Sequence, residues 1–117
     1  MQLNEINFGD AQPVEGYGPG FFRIGGQVIQ GPVLCHPGGV VAWGGLDDLD
    51  ALAALAGKID VLLVGMGEEI APLPDTLRQR LEAAGVGVDV MGTGPAARTY
   101  NVLLAEGRRI GAALLPV

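Results

Sequence analysis

The chain has 117 residues, 49% of them hydrophobic, and a net charge of -6 from 13 acidic and 7 basic residues. A chain of this length is expected to form one domain and to bury about two-thirds of the surface of its unfolded state. Nucleic acids and anionic membranes both require clustered basic residues, and here only Arg108 and Arg109 are adjacent. We therefore expect neither kind of partner.

The first half of the chain has the composition of short strands. β-prone runs alternate with glycine-rich turns from Phe21 onward. Gly25-Gly26 predicts a tight hairpin turn because glycine adopts positive φ freely, whereas Gly31-Pro32 is either a turn or a bulge within one bent strand. This pattern predicts an antiparallel β-meander, with strands at Phe21–Ile24, Gln27–Gln30, Val33–His36 and Val40–Trp43.

The second half alternates helices with strands. The hydrophobic period becomes helical near Leu46, and glycines close each predicted helix. Alternation of this kind predicts parallel strands joined by right-handed crossovers. The predicted helices are LDDLDALAALAG (46–57), PDTLRQRLEAAG (74–85) and GPAARTYNVLLAEG (94–107), and the predicted strands are IDVLLVG (59–65), VGVDV (86–90) and RIGAALLPV (109–117).

Together the two halves predict an α/β fold, with a mixed central sheet, an N-terminal β-meander or hairpin and three helices on the faces of the sheet. We interpret residues 1–117 as a single domain. Residues 1–20 are glycine-rich and aperiodic, so we expect a mostly extended N-terminal arm that is anchored by Ile6 and Phe8.

A glycine-rich loop follows the predicted strand VLLVG, as it does in many dinucleotide-binding proteins. The dinucleotide fingerprint needs a further glycine where this chain has Ile70, and two acidic residues occupy the place of a pyrophosphate. We therefore interpret the loop as a glycine-rich exit from a buried strand. Because α/β sheets form clefts at the carboxyl ends of parallel strands, its candidate ligand-binding residues are Gly65, Gly67, Glu68 and Glu69.

A second candidate lies in MGTGPAARTYN, residues 91–101. Thr93 or Gly94 is expected to cap the third helix, whose free amide groups could hold an anion, and Arg98 lies about one turn further on. The alternative is that Arg98 is a solvated surface residue. Both loops leave the same edge of the sheet, so we expect them to adjoin. Either an acid of the first loop meets these amides or Arg98, or an open cleft between the loops binds a small anion at Gly94–Ala96.

Cys35-His36 has the composition of a nucleophile and its base. Adjacent residues of a strand point to opposite faces, so we interpret the pair as a buried thiol beside a surface imidazole. One cysteine and one histidine do not provide the three or four ligands of a zinc site. The sequence therefore predicts no catalytic residues, no metal and no cofactor.

Three stretches also resemble a known family. They are GPVLCHPGGVVAW, VLLVGMGEE followed by a proline-leucine-proline, and the end of the chain, with its Thr99-Tyr100-Asn101, Glu106-Gly107-Arg108 and an Ala-Ala-Leu-Leu-Pro tail. They are similar to the family of mitochondrial complex I assembly factor 3 and the adipogenesis-associated domain proteins, which has many bacterial and archaeal members. The resemblance implies a three-layer α/β fold, no established catalytic residues and an assembly-type role.

From these features we expect a bacterial, non-enzymatic binding or assembly-factor-like protein with a protein partner, one that aids a membrane-protein complex. The alternative is a small-molecule or anion-binding protein, or a minor enzyme, that uses a cleft between the 65–70 and 91–98 loops. No apolar run approaches about 20 residues and no secretory signal is evident, so the cytoplasm is the expected compartment. An exposed edge strand in the glycine-rich half also suggests a homo-oligomer.

Overall fold

The computed structural model describes residues 10–117, so the predicted anchors Ile6 and Phe8 lie outside the described residues. The elements follow the predicted order, with an additional strand inside the predicted arm. The prediction of one domain over residues 1–117, with an arm at 1–20, stays a prediction. The elements are β1 (Val14–Gly18), β2 (Phe21–Ile24), β3 (Gln27–Gln30), β4 (Val33–His36), β5 (Gly39–Ala42), a 3-10 turn (Gly45–Asp47), α1 (Asp50–Ala53), β6 (Val61–Gly65), α2 (Asp75–Ala83), β7 (Gly87–Met91), α3 (Thr93–Ala105) and β8 (Ile110–Leu114).

The first three strands form an antiparallel sheet in which β2 lies between β1 and β3. The predicted tight turn joins β2 to β3. Gly25 and Gly26 both adopt positive φ, at 59° and 76°, as the favoured two-residue hairpin turn requires. Phe22, Ile24 and Ile29 are buried, so one face of this small sheet packs against the rest of the domain.

The other five strands form a mixed sheet in the order β5-β4-β8-β6-β7. β6 pairs in parallel with both β7 and β8, as the alternation of helices and strands predicts. β4 is antiparallel to β5 and β8. The predicted fold class, α/β with a mixed central sheet, an N-terminal meander and three helices, is confirmed.

This five-stranded sheet is the middle of three layers. In β6, Leu63 faces one hydrophobic cluster, while Leu62 and Val64 face another, because successive residues of a strand point to opposite sides. α3 and the three-stranded sheet contribute to the first cluster, and α1 and α2 contribute to the second. Leu77 and Leu81 of α2 and Ala97 and Tyr100 of α3 are buried, whereas Ala84, which follows α2, is exposed.

The side chain of Asn101 attaches α3 to β1. Asn101 Nδ2 donates to Val14 O (2.8 Å), and Asn101 Oδ1 accepts from Val14 N–H (2.8 Å). The side-chain amide thus makes the pair of hydrogen bonds that a neighbouring strand would otherwise make. A helix residue in this way fixes the position of the first strand on the core.

Replacing Asn101 with alanine should lower the free energy of unfolding by about 1–2 kcal/mol, since two partly buried hydrogen bonds are lost at about 0.5–1.5 kcal/mol each. Amide hydrogen exchange at Val14 should become faster. Val102→Ala is the matched control, because Val102 lies on the same helix and is 58% exposed, so its replacement should have a smaller effect and leave exchange at Val14 unchanged. Unchanged exchange at Val14 in the Asn101→Ala variant would contradict this role.

Two parts of the structure differ from the prediction. At Gly31-Pro32 the chain leaves the three-stranded sheet and enters the five-stranded one, so the dipeptide is neither a hairpin turn nor a bulge. The predicted helix at 46–57 is reduced to the 3-10 turn, the four-residue α1 and further turns. Leu49 occupies the cap position of α1 and supplies no side-chain hydrogen bond, so the helix starts without the usual polar cap.

In the part of the chain described, no helix has the length and apolar character needed to cross a bilayer.

Candidate functional site

The loops that follow β6 and β7 lie side by side, as the sequence predicts. Met66 N–H donates to Met91 O (2.9 Å), and Thr93 N–H donates to Gly67 O (3.1 Å). A Cβ on Gly92 would come within 3.4 Å of Gly67 O. The two backbones therefore touch directly at this edge of the sheet.

The side chain of Thr93 closes the junction between these loops. Thr93 is fully buried, and its Oγ1 accepts from Gly67 N–H (2.7 Å) and donates to Leu115 O (2.6 Å). Leu115 N–H in turn donates to Gly65 O (2.8 Å). One hydroxyl thus links three segments, namely both loops and the residues after β8, and both its donor and its acceptor capacity are used.

Gly65 has a packing role at this junction. A Cβ at this position would lie 2.9 Å from Leu114 Cδ2 and 3.0 Å from Thr93 Cα. A side chain here would therefore have to displace the buried side chain of Leu114 and to shift the backbone at Thr93 slightly. The glycine at the end of β6 is therefore accounted for by close packing of protein against protein.

The start of α3 has few free hydrogen-bond donors. The amide of Thr93 donates to the loop after β6, and the amide of Ala96 donates to the residue before the helix. Pro95 has no N–H. Of the first four residues of α3, Gly94 alone keeps an amide without a hydrogen-bond partner among residues 10–117. The positive end of the helix dipole is therefore available to a ligand through the amide of Gly94 and not through several free amides.

Two side chains lie beside this amide. The Tyr17 hydroxyl occupies the space that a Cβ on Gly94 would take, and Arg98 Nη1 is 3.5 Å from the same point. Tyr17 comes from β1, so the three-stranded sheet also contributes to the site. The pattern of the sequence had connected Arg98 with Gly94, but it contained nothing that placed Tyr17 there.

Glu68 and Glu69 are exposed and form no hydrogen bond or ion pair with any residue of the described range 10–117. The loops are thus not joined by the expected contact of Glu68 or Glu69 with the amides of α3 or with Arg98. Thr93 joins them instead. The structure brings four candidate residues into a buried cluster, Gly65, Gly67, Thr93 and Gly94, and leaves three on the surface, Glu68, Glu69 and Arg98. Ligand binding by these seven residues stays a prediction.

Cys35 and His36 are adjacent on β4 and differ in environment. Cys35 is fully buried, and burial raises the pKa of its thiol to about 12, which keeps the thiol protonated and unreactive. His36 is half-buried, and its Nδ1 accepts from Gly38 N–H (3.0 Å). Burial, and then the nearby charge of Lys58, lower the pKa of His36. The buried thiol matches the interpretation of a buried thiol beside a surface imidazole, whereas the imidazole of His36 is half-buried.

The lowered pKa of His36 predicts a pH dependence of stability. The usual pKa is 6.5, so on acidification the unfolded chain binds the proton before the folded chain does. The contribution of neutral His36 to the free energy of unfolding is therefore fully present above pH 6.5. It is lost as the pH falls through the pKa that His36 has in the folded chain. In the native chain, the urea concentration at the unfolding midpoint should fall between neutral and mildly acidic pH. In His36→Gln this fall should be smaller. NMR titration of the single imidazole tests the sign directly, and a folded pKa above 6.5 would contradict it.

The layered arrangement and the closed loop junction define a small α/β domain with a mixed five-stranded sheet and an attached three-stranded sheet. Residues 14–115 match the model of a family described as a protein of unknown function (DUF498/DUF598). The match covers most of the chain, and the chain belongs to this family. The family resemblance of the sequence is confirmed.

Relatives in bacteria and animals share nearly the whole chain. An uncharacterised protein of Rhodobacter capsulatus is 56% identical over 117 residues, which cover 100% of this chain and 94% of that protein. The human NADH dehydrogenase (ubiquinone) 1 alpha subcomplex assembly factor 3 is 33% identical over 123 residues, which cover 99% of this chain and 67% of the human protein. The chain thus spans about two-thirds of the length of its human relative.

A solved structure has the same fold. The crystal structure of an outer membrane protein from Bartonella henselae superposes with a TM-score of 0.84 at 36% identity, over 94% of this chain and 98% of that one. The similarity therefore extends over both sheets and the helices.

Proposed function

We propose that this chain is a non-enzymatic, protein-binding factor that helps a membrane-protein complex to assemble. The observation that carries the proposal is its similarity to the human assembly factor, which runs along 99% of this chain. The shared part is a whole domain and not a single motif, which supports a shared manner of binding protein. We place its action in the cytoplasm, with a protein partner and without nucleic acid.

The closed loop junction supports a role without catalysis. At the edge of the sheet where an α/β enzyme would place its reacting groups, the hydroxyl of Thr93 and the amide of Gly67 satisfy each other. The buried thiol of Cys35 is protonated at neutral pH. These contacts are those of a structural core, and they leave the surface of the domain to make the functional contacts.

Affinity capture of the tagged chain, expressed at its normal level in its own cell, tests the proposal. We expect a subunit of a membrane complex to be recovered in stoichiometric amount. Deletion of the gene should lower the amount of the assembled complex on native gels of the membranes, and the complex should return when the gene is restored. A normal amount of every membrane complex in the deletion strain would refute the assembly role.

Binding of a small anion is the second candidate function. The observation that favours it is that the Tyr17 hydroxyl and the Arg98 guanidinium lie beside Gly94, whose amide has no hydrogen-bond partner among residues 10–117. Titration with inorganic phosphate should then shift the NMR signal of the Gly94 amide, and Arg98→Gln should abolish the shift. Arg108→Gln is the matched control for nonspecific loss of charge. An unmoved Gly94 signal would eliminate this candidate.

A further inference from the structure

Two edge strands of the domain carry side-chain caps, which hinder pairing with another chain. Edge strands expose backbone N–H and C=O groups, and proteins commonly cover these groups or place charges beside them. On β7, Arg78 Nη1 donates to Val88 O (3.1 Å), and Asp89 is exposed beside it. On β1, Asn101 binds both backbone groups of Val14, as described above. Each of these edges thus has a cap.

The two other edge strands, β5 and β3, differ in burial. On β5, Gly39 is buried and Val40 is fully buried, so a further strand could not reach the backbone of Val40. β3 pairs with β2 alone among the strands of residues 10–117. A cap on Gly26 N–H, from Glu15 Oε1 (2.6 Å), ends at the turn before β3. β3 is therefore the open edge of the described part of the chain.

The hydrogen-bond pattern shows which backbone groups of β3 are free. Gln27 closes the two-residue hairpin and is therefore hydrogen-bonded to β2. Beyond the other end of the strand, Gly31 N–H donates to Gly20 O (3.0 Å). Because hydrogen-bonded pairs alternate along an antiparallel ladder, Val28 and Gln30 point their N–H and C=O groups away from β2. Val28 is 51% exposed, and Gln30 is exposed as well, so both residues that offer free groups face solvent.

These free groups are complementary to those of a second copy of the same strand. If two β3 strands pair antiparallel across a two-fold axis, Val28 lies opposite Gln30 of the second copy, and Ile29 lies on the axis opposite its own counterpart. Every free N–H and C=O group of the two strands then has a partner. β3, with the sequence QVIQ, carries no charge, so no like charges meet at the contact and no charge selects a different protein.

We propose that β3 pairs with β3 of a second copy, so that the two three-stranded sheets form one continuous six-stranded sheet. The inference is independent of the proposed assembly role. A strand of four residues is about 13 Å long at roughly 3.3 Å per residue. A contact of this length buries less than the roughly 1,200 Å² of a stable interface, so the dimer is weak and reversible. Each copy carries a net charge of -6, and salt strengthens the dimer because it screens this repulsion.

Sedimentation equilibrium and NMR of the full chain, from micromolar to millimolar concentration, test the inference. The mass should rise from that of one chain towards that of two, and further at higher salt. The Val28 and Gln30 amides should shift and exchange more slowly, while the Val102 amide on α3 stays unchanged. In a mixture of isotope-labelled and unlabelled chains, Ile29 Hα should show a nuclear Overhauser effect to Ile29 Hα of the other copy, because the Cα atoms of a non-hydrogen-bonded pair come closest. A single-chain mass at millimolar concentration, or a dimer without this contact, would overturn the proposal.

Val28→Lys and Val28→Thr form a matched pair of variants at this edge. Lysine places like charges near the axis in both copies and should weaken the dimer about tenfold, whereas threonine, a neutral strand former, should dimerise as the native chain does. Both variants should keep the native melting temperature in dilute solution, since Val28 is exposed. A lysine variant that dimerises like the native chain would contradict the proposal.

Two further results would assign the edge of β3 to another occupant and reject the dimer. Slow exchange of the Val28 amide in the dilute, monomeric chain would show that residues of the same chain cover the edge. If the native chain stays monomeric and Val28→Lys loses the captured membrane-complex subunit, the edge binds that subunit, and the assembly role stays intact while the second copy is excluded.

Discussion

Replacing Thr93 with valine should lower the free energy of unfolding by about 2–4 kcal/mol. Valine keeps the size and branched shape of threonine but removes the hydroxyl, so the loss is electrostatic and not a cavity. It leaves the buried Gly67 N–H and the Leu115 carbonyl without their partner, and a buried polar group without a partner costs about 1–3 kcal/mol. Urea denaturation at neutral pH measures the change through the midpoint at constant slope.

Thr93→Ser is the matched control for this prediction. Serine keeps both hydrogen bonds and loses only a buried methyl group, so it should retain more of the stability than valine does. Amide exchange at Gly67 should rise in the valine variant and stay near its native rate in the serine variant. If the valine variant is as stable as the native chain, the hydroxyl does not hold the two loops together.

Replacing Tyr100 with alanine should have the largest effect, a loss of about 3–5 kcal/mol, as is usual when a buried aromatic ring is removed. Tyr100 is fully buried in the cluster that contains Phe22 of β2 and Leu63 of β6. The ring thus lies where the three-stranded sheet, α3 and the central sheet meet. Since a native domain is stable by about 5–15 kcal/mol, the variant should unfold at a much lower urea concentration.

Tyr100→Phe separates the ring from the hydroxyl. The hydroxyl donates to Gln12 O (3.1 Å), and a hydrogen bond of this kind contributes about 0.5–1.5 kcal/mol. The phenylalanine variant should therefore lose about 1 kcal/mol and keep its tertiary structure. A phenylalanine variant as unstable as the alanine variant would assign the effect to the hydroxyl and contradict the packing argument.

The hydrophobic period predicted most of the elements, but it missed β1, overestimated the first helix and did not specify which strands pair. The β-prone run VLCH and the continuous apolar run VLLVG identified β4 and β6, and the helices between the later strands predicted their parallel pairing. The sequence did not predict that β8 separates β4 from β6, because Leu34 and Ala113 pair across 79 residues and the composition of a strand does not specify its neighbour. The crossing at Gly31-Pro32 was missed for the same reason, since a turn and a change of sheet have the same local composition.

The candidate site was predicted in position but not in chemistry. That the two loops adjoin follows from the rule that parallel strands end at one edge. The prediction favoured Glu68 and Glu69 as the connecting groups because charge is visible in a sequence. Burial is not visible there, so Thr93 was interpreted as a helix cap only, and that was wrong, because Gly92 occupies the cap position and Thr93 is the first residue of α3. The second hydrogen-bond partner of Thr93 is Leu115, which follows β8. Nothing in the sequence of the two loops indicates that this third segment lies beside them.

The position of β8 has a consequence for the time at which the domain folds. β8 is the last strand in chain order, yet it lies at the centre of the five-stranded sheet, between β4 and β6. Until β8 is available, the pair β4–β5 and the pair β6–β7 have no strand to join them, and each exposes an apolar inner edge. Pairings between residues so far apart in sequence also slow folding. The five-stranded sheet therefore cannot be completed on the ribosome until β8 has been synthesised.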